Sequence, residues 1–156
     1  MQDPGFVNRA FTDIADRYVL TNHVLSLGTD ILWRRKLGSM IEAQRPNDML
    51  DIATGSGDVV AEITRRCPDT NIIGLDFCQP MLNHARRRGL ANLVVADGLR
   101  LPFDDGTFDI TTVAFGLRNM ASWTDGLLEM SRTLKPNGIL YILDFSQPTW
   151  SLLRAP

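Results

Sequence analysis

The residues best suited to chemistry form one run, Asp51-Ile52-Ala53-Thr54-Gly55-Ser56-Gly57-Asp58, between two kinds of apolar pattern. Asp48-Met49-Leu50 opens a short buried strand ahead of it, and Val59, Val60 and Ile63 recur at helical spacing behind it. A strand that turns through glycines into a helix leaves backbone N–H groups unpaired at the helix start. Those donors and the helix dipole favour a polar or anionic ligand group, and the missing side chains let it approach. A dinucleotide loop needs a third small residue three positions after its second glycine. Val60 stands there, which argues against NAD or FAD. A Walker loop needs a lysine, and this loop has none. Asp51 closes the strand, where a carboxylate is placed to pair with a cationic ligand group. S-adenosylmethionine carries two such groups, an ammonium and a sulfonium.

Asn71-Ile72-Ile73-Gly74-Leu75-Asp76 reads as a second strand ending in an acid, about 20 residues past the loop, the usual spacing for a carboxylate that accepts from ribose hydroxyls. Asp76 also precedes a helix that begins near Gln79-Pro80, so capping is the competing role.

These residues need a scaffold, and the period of the sequence supplies one. Strands are expected near 48–52, 71–76, 92–95, 108–114 and 138–144, with helices near 58–66, 79–88 and 123–134. Asp105-Gly106 and Lys135-Pro136-Asn137-Gly138 are turn signals ahead of the last two strands. The expected fold is α/β, a Rossmann-like doubly wound parallel sheet that binds ligands at its strand C-terminal ends. Residues 1–156 form a single domain: helices over 1–46, then the sheet core over 47–156. Phe6, Ala10, Phe11 and Ile14 share one helical face, and Trp33, Leu37, Met40 and Ile41 another, with Thr29 or Asp30 as N-cap between them. Trp123, Leu127, Met130 and Leu134 read as a core stripe.

Composition narrows the class. Sixteen basic and eighteen acidic residues leave a net charge of −2, so no nucleic-acid partner is expected. Arg86-Arg87-Arg88 is the one dense basic run and reads as a solvated helix terminus. Cys67 and Cys78 have neither metal nor redox spacing, and His23 and His84 have no partner in sequence; no metal site is expected. No apolar run reaches transmembrane length and no signal-peptide pattern opens the chain, so the expected location is cytoplasmic.

Further segments carry a family resemblance. Leu101-Pro102-Phe103-Asp104-Asp105-Gly106-Thr107-Phe108-Asp109 and Leu134-Lys135-Pro136-Asn137-Gly138 resemble connections common in class I S-adenosylmethionine-dependent methyltransferases. Phe115-Gly116-Leu117-Arg118-Asn119 is similar to the signature of the ubiquinone/menaquinone biosynthesis C-methyltransferases. Tyr18 to Asn22, Leu25-Ser26-Leu27-Gly28 and Leu32-Trp33-Arg34-Arg35 resemble that family's N-terminal helices.

The resemblance implies a cofactor, S-adenosylmethionine, and an acceptor, a polyprenyl quinol, with demethylmenaquinol favoured. It implies that Ser56, between Gly55 and Gly57, contacts the methionine end, Asp76 the ribose, and Asp97-Gly98 the adenine amino group. Phe77 and Met81 would cover the adenine faces, with helix core an equal alternative for Met81, and Ala114 would lie beside the transferable methyl. Arg118 would stabilise a developing phenolate, the alternative being that it only pairs with a neighbouring carboxylate; Asn119 would orient the ring oxygen, and Tyr18 or a water would relay the proton. Ala114 and Val19 depart from the family's usual hydroxyl residue and aspartate. Family members also continue past the fifth strand, so the chain is expected to lack the C-terminal strand pair and part of the substrate cover. The rival readings are a methyltransferase for another small acceptor and an inactive cofactor-binding fragment. An exposed fifth strand would favour self-association into a dimer, and a prenylated acceptor implies peripheral contact with a membrane surface.

Overall fold

The computed structural model describes residues 29–144. Phe6, Ala10, Phe11, Ile14, Tyr18, Val19 and His23 lie outside the described residues, as does the segment after Asp144. The elements run α1 (Thr29–Gln44), β1 (Asp48–Ile52), α2 (Asp58–Arg66), β2 (Asn71–Asp76), α3 (Gln79–Arg87), β3 (Leu93–Val95), β4 (Phe108–Ala114), a 3₁₀ turn (Leu117–Asn119), α4 (Trp123–Thr133) and β5 (Leu134–Leu143). The five strands form one parallel sheet in the order β3-β2-β1-β4-β5. Going from β1 to β2 to β3 the chain moves toward one edge, and from β4 to β5 toward the other. The strand order therefore reverses between β1 and β4, and their C-terminal ends frame a crevice.

Strand alternation sends side chains to two cores. Met49, Ile72 and Ile110 join Leu37 and Ile41 of α1 and Val59, Val60 and Ile63 of α2. Leu50, Ile52, Leu75, Phe108 and Val113 meet Met130 of α4 and Leu101 on the opposite face. Arg132 holds that second layer in place. It donates to the carbonyls of Leu101 (3.1 Å) and Phe103 (2.9 Å) and pairs with Glu129, whose own carboxylate accepts the Leu101 N–H at 2.9 Å. The Arg132 guanidinium, helped by that N–H, pulls the Glu129 carboxyl down to about 2.

Several expectations need correction. Only Leu37 and Ile41 of the expected α1 face are buried; Trp33 and Met40 are exposed. At 3.6 residues per turn Met40 and Ile41 lie about a quarter turn apart, and the contact line follows Leu37, Gly38 and Ile41. Gly38 lies against the Arg66 and Glu62 side chains of α2, where a Cβ would come within 2.8 Å of Arg66 Nε. Asp30 is no cap: it sits inside α1, buried, and accepts from Arg34 one turn on at 2.5 Å. On α4 the buried residues are Gly126, Met130 and Thr133, and Trp123 is exposed because the contact starts a turn later, where Gly126 meets the Met120 sulfur. Leu134 belongs to β5. The Lys135–Gly138 turn lies within β5 rather than before it. From Leu134 to Ile139 the strand advances five residues while β4 advances two, from Phe108 to Ile110. The extra residues form a bulge, with Asn137 at φ 66°.

Neighbouring threonines on β4 have opposite fates. Thr112 faces the α1–α2 side and donates to Asp51 Oδ1 at 2.6 Å, directly across the β1–β4 pairing. Thr111 is fully buried on the other face, and among the described residues its hydroxyl has no hydrogen-bond partner. A buried hydroxyl without a partner costs about 1–3 kcal/mol. Thr111→Val is therefore expected to stabilise the protein by about 1 kcal/mol, whereas Thr112→Val, which strips a donor from a buried carboxylate, is expected to destabilise it by at least as much. Urea titration of both variants checks the opposite signs.

Candidate functional site

The crevice between β1 and β4 is built from two turns that could not both exist with ordinary backbone. After β1, Ala53 (φ 55°), Gly55 (φ 58°) and Gly57 (φ 83°) all adopt left-handed conformations; after β4, Phe115 does so at φ 58°. Such conformations at non-glycine residues cost about 1–3 kcal/mol each and persist where the surroundings impose them. Here the surroundings do. A Cβ on Gly57 would lie 2.2 Å from the Leu90 methyl, and a Cβ on Gly116 would lie 2.3 Å from that of Ala53. The two turns thus press against each other, and glycine at 116 allows the approach.

Hydrogen bonds hold the first turn in shape. The Thr54 N–H donates to the Leu75 carbonyl at 3.0 Å and the Gly57 N–H to the Thr54 carbonyl at 2.9 Å. Asp51 lies beneath them, 1% exposed, with Oδ1 accepting from Thr112 and Oδ2 from the Thr54 hydroxyl, each at 2.6 Å. Burial outweighs these bonds and pushes the Asp51 carboxyl up to about 6. Its group is thus an anion at neutral pH that water barely reaches.

Asp76 serves loop and helix together. Oδ2 accepts the Gly55 N–H and Oδ1 the Cys78 N–H, both at 2.8 Å. Cys78 sits at the cap position of α3, so the capping alternative is partly realised, while the Gly55 bond links β2 to the glycine turn. Burial raises the Asp76 carboxyl, and the N–H groups of Cys78 and Gly55 oppose that rise.

Ser56 is buried, and its hydroxyl donates to Asp58 Oδ2 at 3.1 Å. Arg86, Arg87 and Arg88 are all exposed at the end of α3, as a solvated terminus requires, and Arg88 makes a contact besides: its Nη1 donates to the Ser56 carbonyl at 2.8 Å and to Asp58 Oδ1 at 2.6 Å. The contact spans about thirty residues of chain, so helix-end arguments could not foresee it. Phe77 is exposed beside the turn after β2, whereas Met81 is buried, with its methyl 3.4 Å from where a Gly55 Cβ would stand. Met81 is therefore helix core under the loop. Asp97 is exposed and accepts the Leu99 N–H at 2.9 Å; Gly98 backs onto Ile52 and Met120.

The second turn starts at Ala114, half-buried, and is tied to β5 by the Phe115 N–H donating to the Leu143 carbonyl at 2.7 Å. Arg118 and Asn119 follow in the 3₁₀ turn, and the Arg118 guanidinium pairs with Asp144 at the end of β5. The α1 helix reaches this turn as well. The Trp33 and Phe115 rings are 6.2 Å apart, and the Arg34 guanidinium lies 5.7 Å from the Phe115 centroid.

The structure thus puts Asp51 at the end of β1 with Gly55, Ser56 and Gly57 beyond it, Asp76 at the end of β2 with Phe77 beyond it, Asp97 and Gly98 after β3, and Ala114 at the end of β4 with Arg118 and Asn119 beyond it, all along the C-terminal ends of the strands. Tyr18 lies outside the described residues. Sequence reasoning missed Thr54, Thr112, Arg34 and Arg88. Polar Thr112 inside an apolar strand was the visible signal, and its partner emerges from strand register alone. The series of carboxylates suits a ligand rich in donors: an amine, ribose hydroxyls and an exocyclic amino group.

Known proteins share this sequence pattern and this fold. Residues 2–156 match the ubiE/COQ5 methyltransferase family. The chain is 45% identical to the demethylmenaquinone methyltransferase of Deinococcus radiodurans over 99% of its own length and 66% of that protein's. It is 44% identical to the enzyme of the same name from Thermus thermophilus, over 88% of the chain and 65% of the relative. It therefore spans just under two thirds of the length of these relatives. Among solved structures, a SAM-dependent methyltransferase from Aquifex aeolicus shares the fold, with TM-score 0.61 and 21% identity over 76% of this chain and 68% of that one. A family match along the whole chain, at this identity and on this fold, decides its membership: the chain belongs to the ubiE/COQ5 methyltransferase family.

Proposed function

We propose that the protein binds S-adenosylmethionine along the C-terminal edge of its sheet and methylates a ring carbon of a polyprenyl quinol, with demethylmenaquinol the favoured acceptor. The observation that carries this reading is the close packing of the Phe115–Asn119 turn against the glycine turn at Ala53. It joins a family signature for the acceptor to a loop suited to the cofactor. The donor set fits the cofactor: Asp51 for the cationic methionine end, Asp76 for the ribose, Asp97 for the adenine amine, with exposed Phe77 beside them. When bound, S-adenosylmethionine supplies an electrophilic sulfonium methyl.

The chain's own residues then have distinct tasks. Loss of a hydroxyl proton from the quinol spreads negative charge onto the adjacent ring carbon, which becomes the nucleophile. Arg118, a permanent cation, stabilises the phenolate, and Asn119 orients the ring oxygen. Asp144 holds the Arg118 guanidinium from β5. Placing ring carbon and methyl in line is the larger contribution, since orientation removes most of the entropic barrier of a bimolecular step. No helix among the described residues is long and apolar enough to cross a membrane. We infer a cytoplasmic protein that meets its prenylated acceptor at the membrane surface.

The reading is tested by incubating the protein with S-adenosylmethionine and a short-tailed demethylmenaquinol and following the product mass. Gain of one methyl group supports it; cofactor binding without any methylated quinol overturns the acceptor assignment. Replacing Arg118 with alanine is expected to lower kcat about a hundredfold while cofactor affinity stays within twofold, as isothermal calorimetry would show; an unchanged kcat removes Arg118 from the chemistry.

Asp51 generates a pH prediction with a definite sign. Its folded pKa of about 6 exceeds the ordinary value of 3.8, so the folded chain holds the proton more tightly than the unfolded one. The ligand-free protein should lose stability as pH rises from about 4 to about 6, the opposite of a salt-bridged aspartate. A cationic ligand favours the ionised form, so cofactor affinity should rise over the same interval. Asp51→Asn is expected to weaken binding about tenfold at pH 7.5 and to flatten both pH profiles. A wild-type affinity that does not change between pH 5 and 7.5 would refute the role of this carboxylate.

A further inference from the structure

Arg34 touches three segments that the sequence keeps far apart. Its Nη1 lies 2.5 Å from Asp30 Oδ2 within α1, its Nη2 is 4.0 Å from Asp58 Oδ2 at the start of α2, and its guanidinium carbon is 5.7 Å from the Phe115 ring. Its side chain is only 14% exposed. The charge also reaches beneath the glycine turn, where it eases the ionisation of Asp51. Arg88, the other cation at this turn, is committed to the Ser56 carbonyl and to Asp58 from the α3 side. Arg34 stands on the crevice side, between the two turns that frame it.

The amino-acid end of S-adenosylmethionine carries an ammonium and a carboxylate on the same carbon. A site that offered only Asp51, Asp58 and Asp76 would attract the first and repel the second. Backbone N–H groups at the glycine turn suit the carboxylate but carry no full charge; a cation close to Asp51 offsets these acids, and an arginine supplies a planar fork that matches a carboxylate. We propose that Arg34 is a cofactor-binding residue, holding the methionine carboxylate while Asp51 faces the ammonium. This inference rests on the cofactor reading above and adds a contact to it. Because the same guanidinium lies against Phe115, occupancy of the cofactor's carboxylate site is also felt at the turn that bears Arg118 and Asn119.

The test is a thermodynamic cycle between residue and ligand, read by calorimetry without turnover. S-adenosylhomocysteine and its decarboxylated analogue, which keeps the amine, are titrated into wild type, Arg34→Ala and Arg34→Lys. Wild type should favour S-adenosylhomocysteine over the analogue by about thirtyfold. Arg34→Ala should bind the two ligands equally, and Arg34→Lys should restore part of the preference. Equal losses for both ligands in Arg34→Ala would mean a merely structural residue and overturn the proposal. If the alanine variant does not fold, Arg34→Gln keeps the stem beside Phe115 and carries the same comparison. Failure of wild type to bind either ligand would instead overturn the cofactor reading itself.

Discussion

Everything at the functional edge depends on one buried carboxylate. Asp51 sits at the end of β1, in the centre of the sheet, where water cannot solvate it. An anion there is tolerable only if neighbours donate to it, and two hydroxyls do, one from its own turn and one from β4. Those bonds set the path of the glycine turn and join it to the strand across the crevice. The compensation is incomplete, as the raised pKa records, and an incompletely compensated anion is a standing attraction for a cationic ligand group.

The same logic explains the strained backbone around it. Left-handed Ala53 meets Gly116, the residue after left-handed Phe115, across the switch point, and the missing side chain at 116 allows the approach. Neither conformation would survive on an isolated chain. They are held by the parallel pairing of β1 with β4 and by Asp76, which gathers the Gly55 and Cys78 N–H groups onto one side chain. The glycine turn and the Phe115–Asn119 turn are thereby parts of one packed unit. The opposite end of the sheet is tied independently: Asp109 accepts from the backbone of Asn47 and Asp48 and pairs with Lys135, which also reaches Asp48. These contacts lower the Asp109 carboxyl from its ordinary value and concern stability, at the end of the sheet opposite the crevice.

Much of the scaffold was legible in the residues. The change of period after Pro46, the turn signals and the apolar runs located β1, β2 and β4 to the residue and set α2 and α3 within one position at their ends. Local physics decides those features: apolar alternation makes strands, glycine permits the turn, proline opens α3. Where side-chain burial depends on how a helix is rotated against its neighbour, as for Trp33, Met40 and Trp123, periodicity misled, because a stripe in sequence does not reveal which part of it meets the sheet. The β5 bulge was read as a turn for a related reason: the residues have turn chemistry, and pairing on both sides appears only when β4 is present.

The sequence by itself determined the order of elements, the polar loop, the acids Asp51 and Asp76 at strand ends, and the family signature at Phe115 to Asn119. Each is encoded by residue type and short spacing. Tertiary structure alone decided which groups meet: Thr112 on Asp51, Arg88 on Ser56 and Asp58, Arg34 between Asp58 and Phe115, Asp144 on Arg118. Those partners are separated by tens of residues, and their contacts follow from strand register and crossover packing. The electrostatics of the site, including the sign of its response to pH, follow from those contacts and from burial, which no spacing rule can supply.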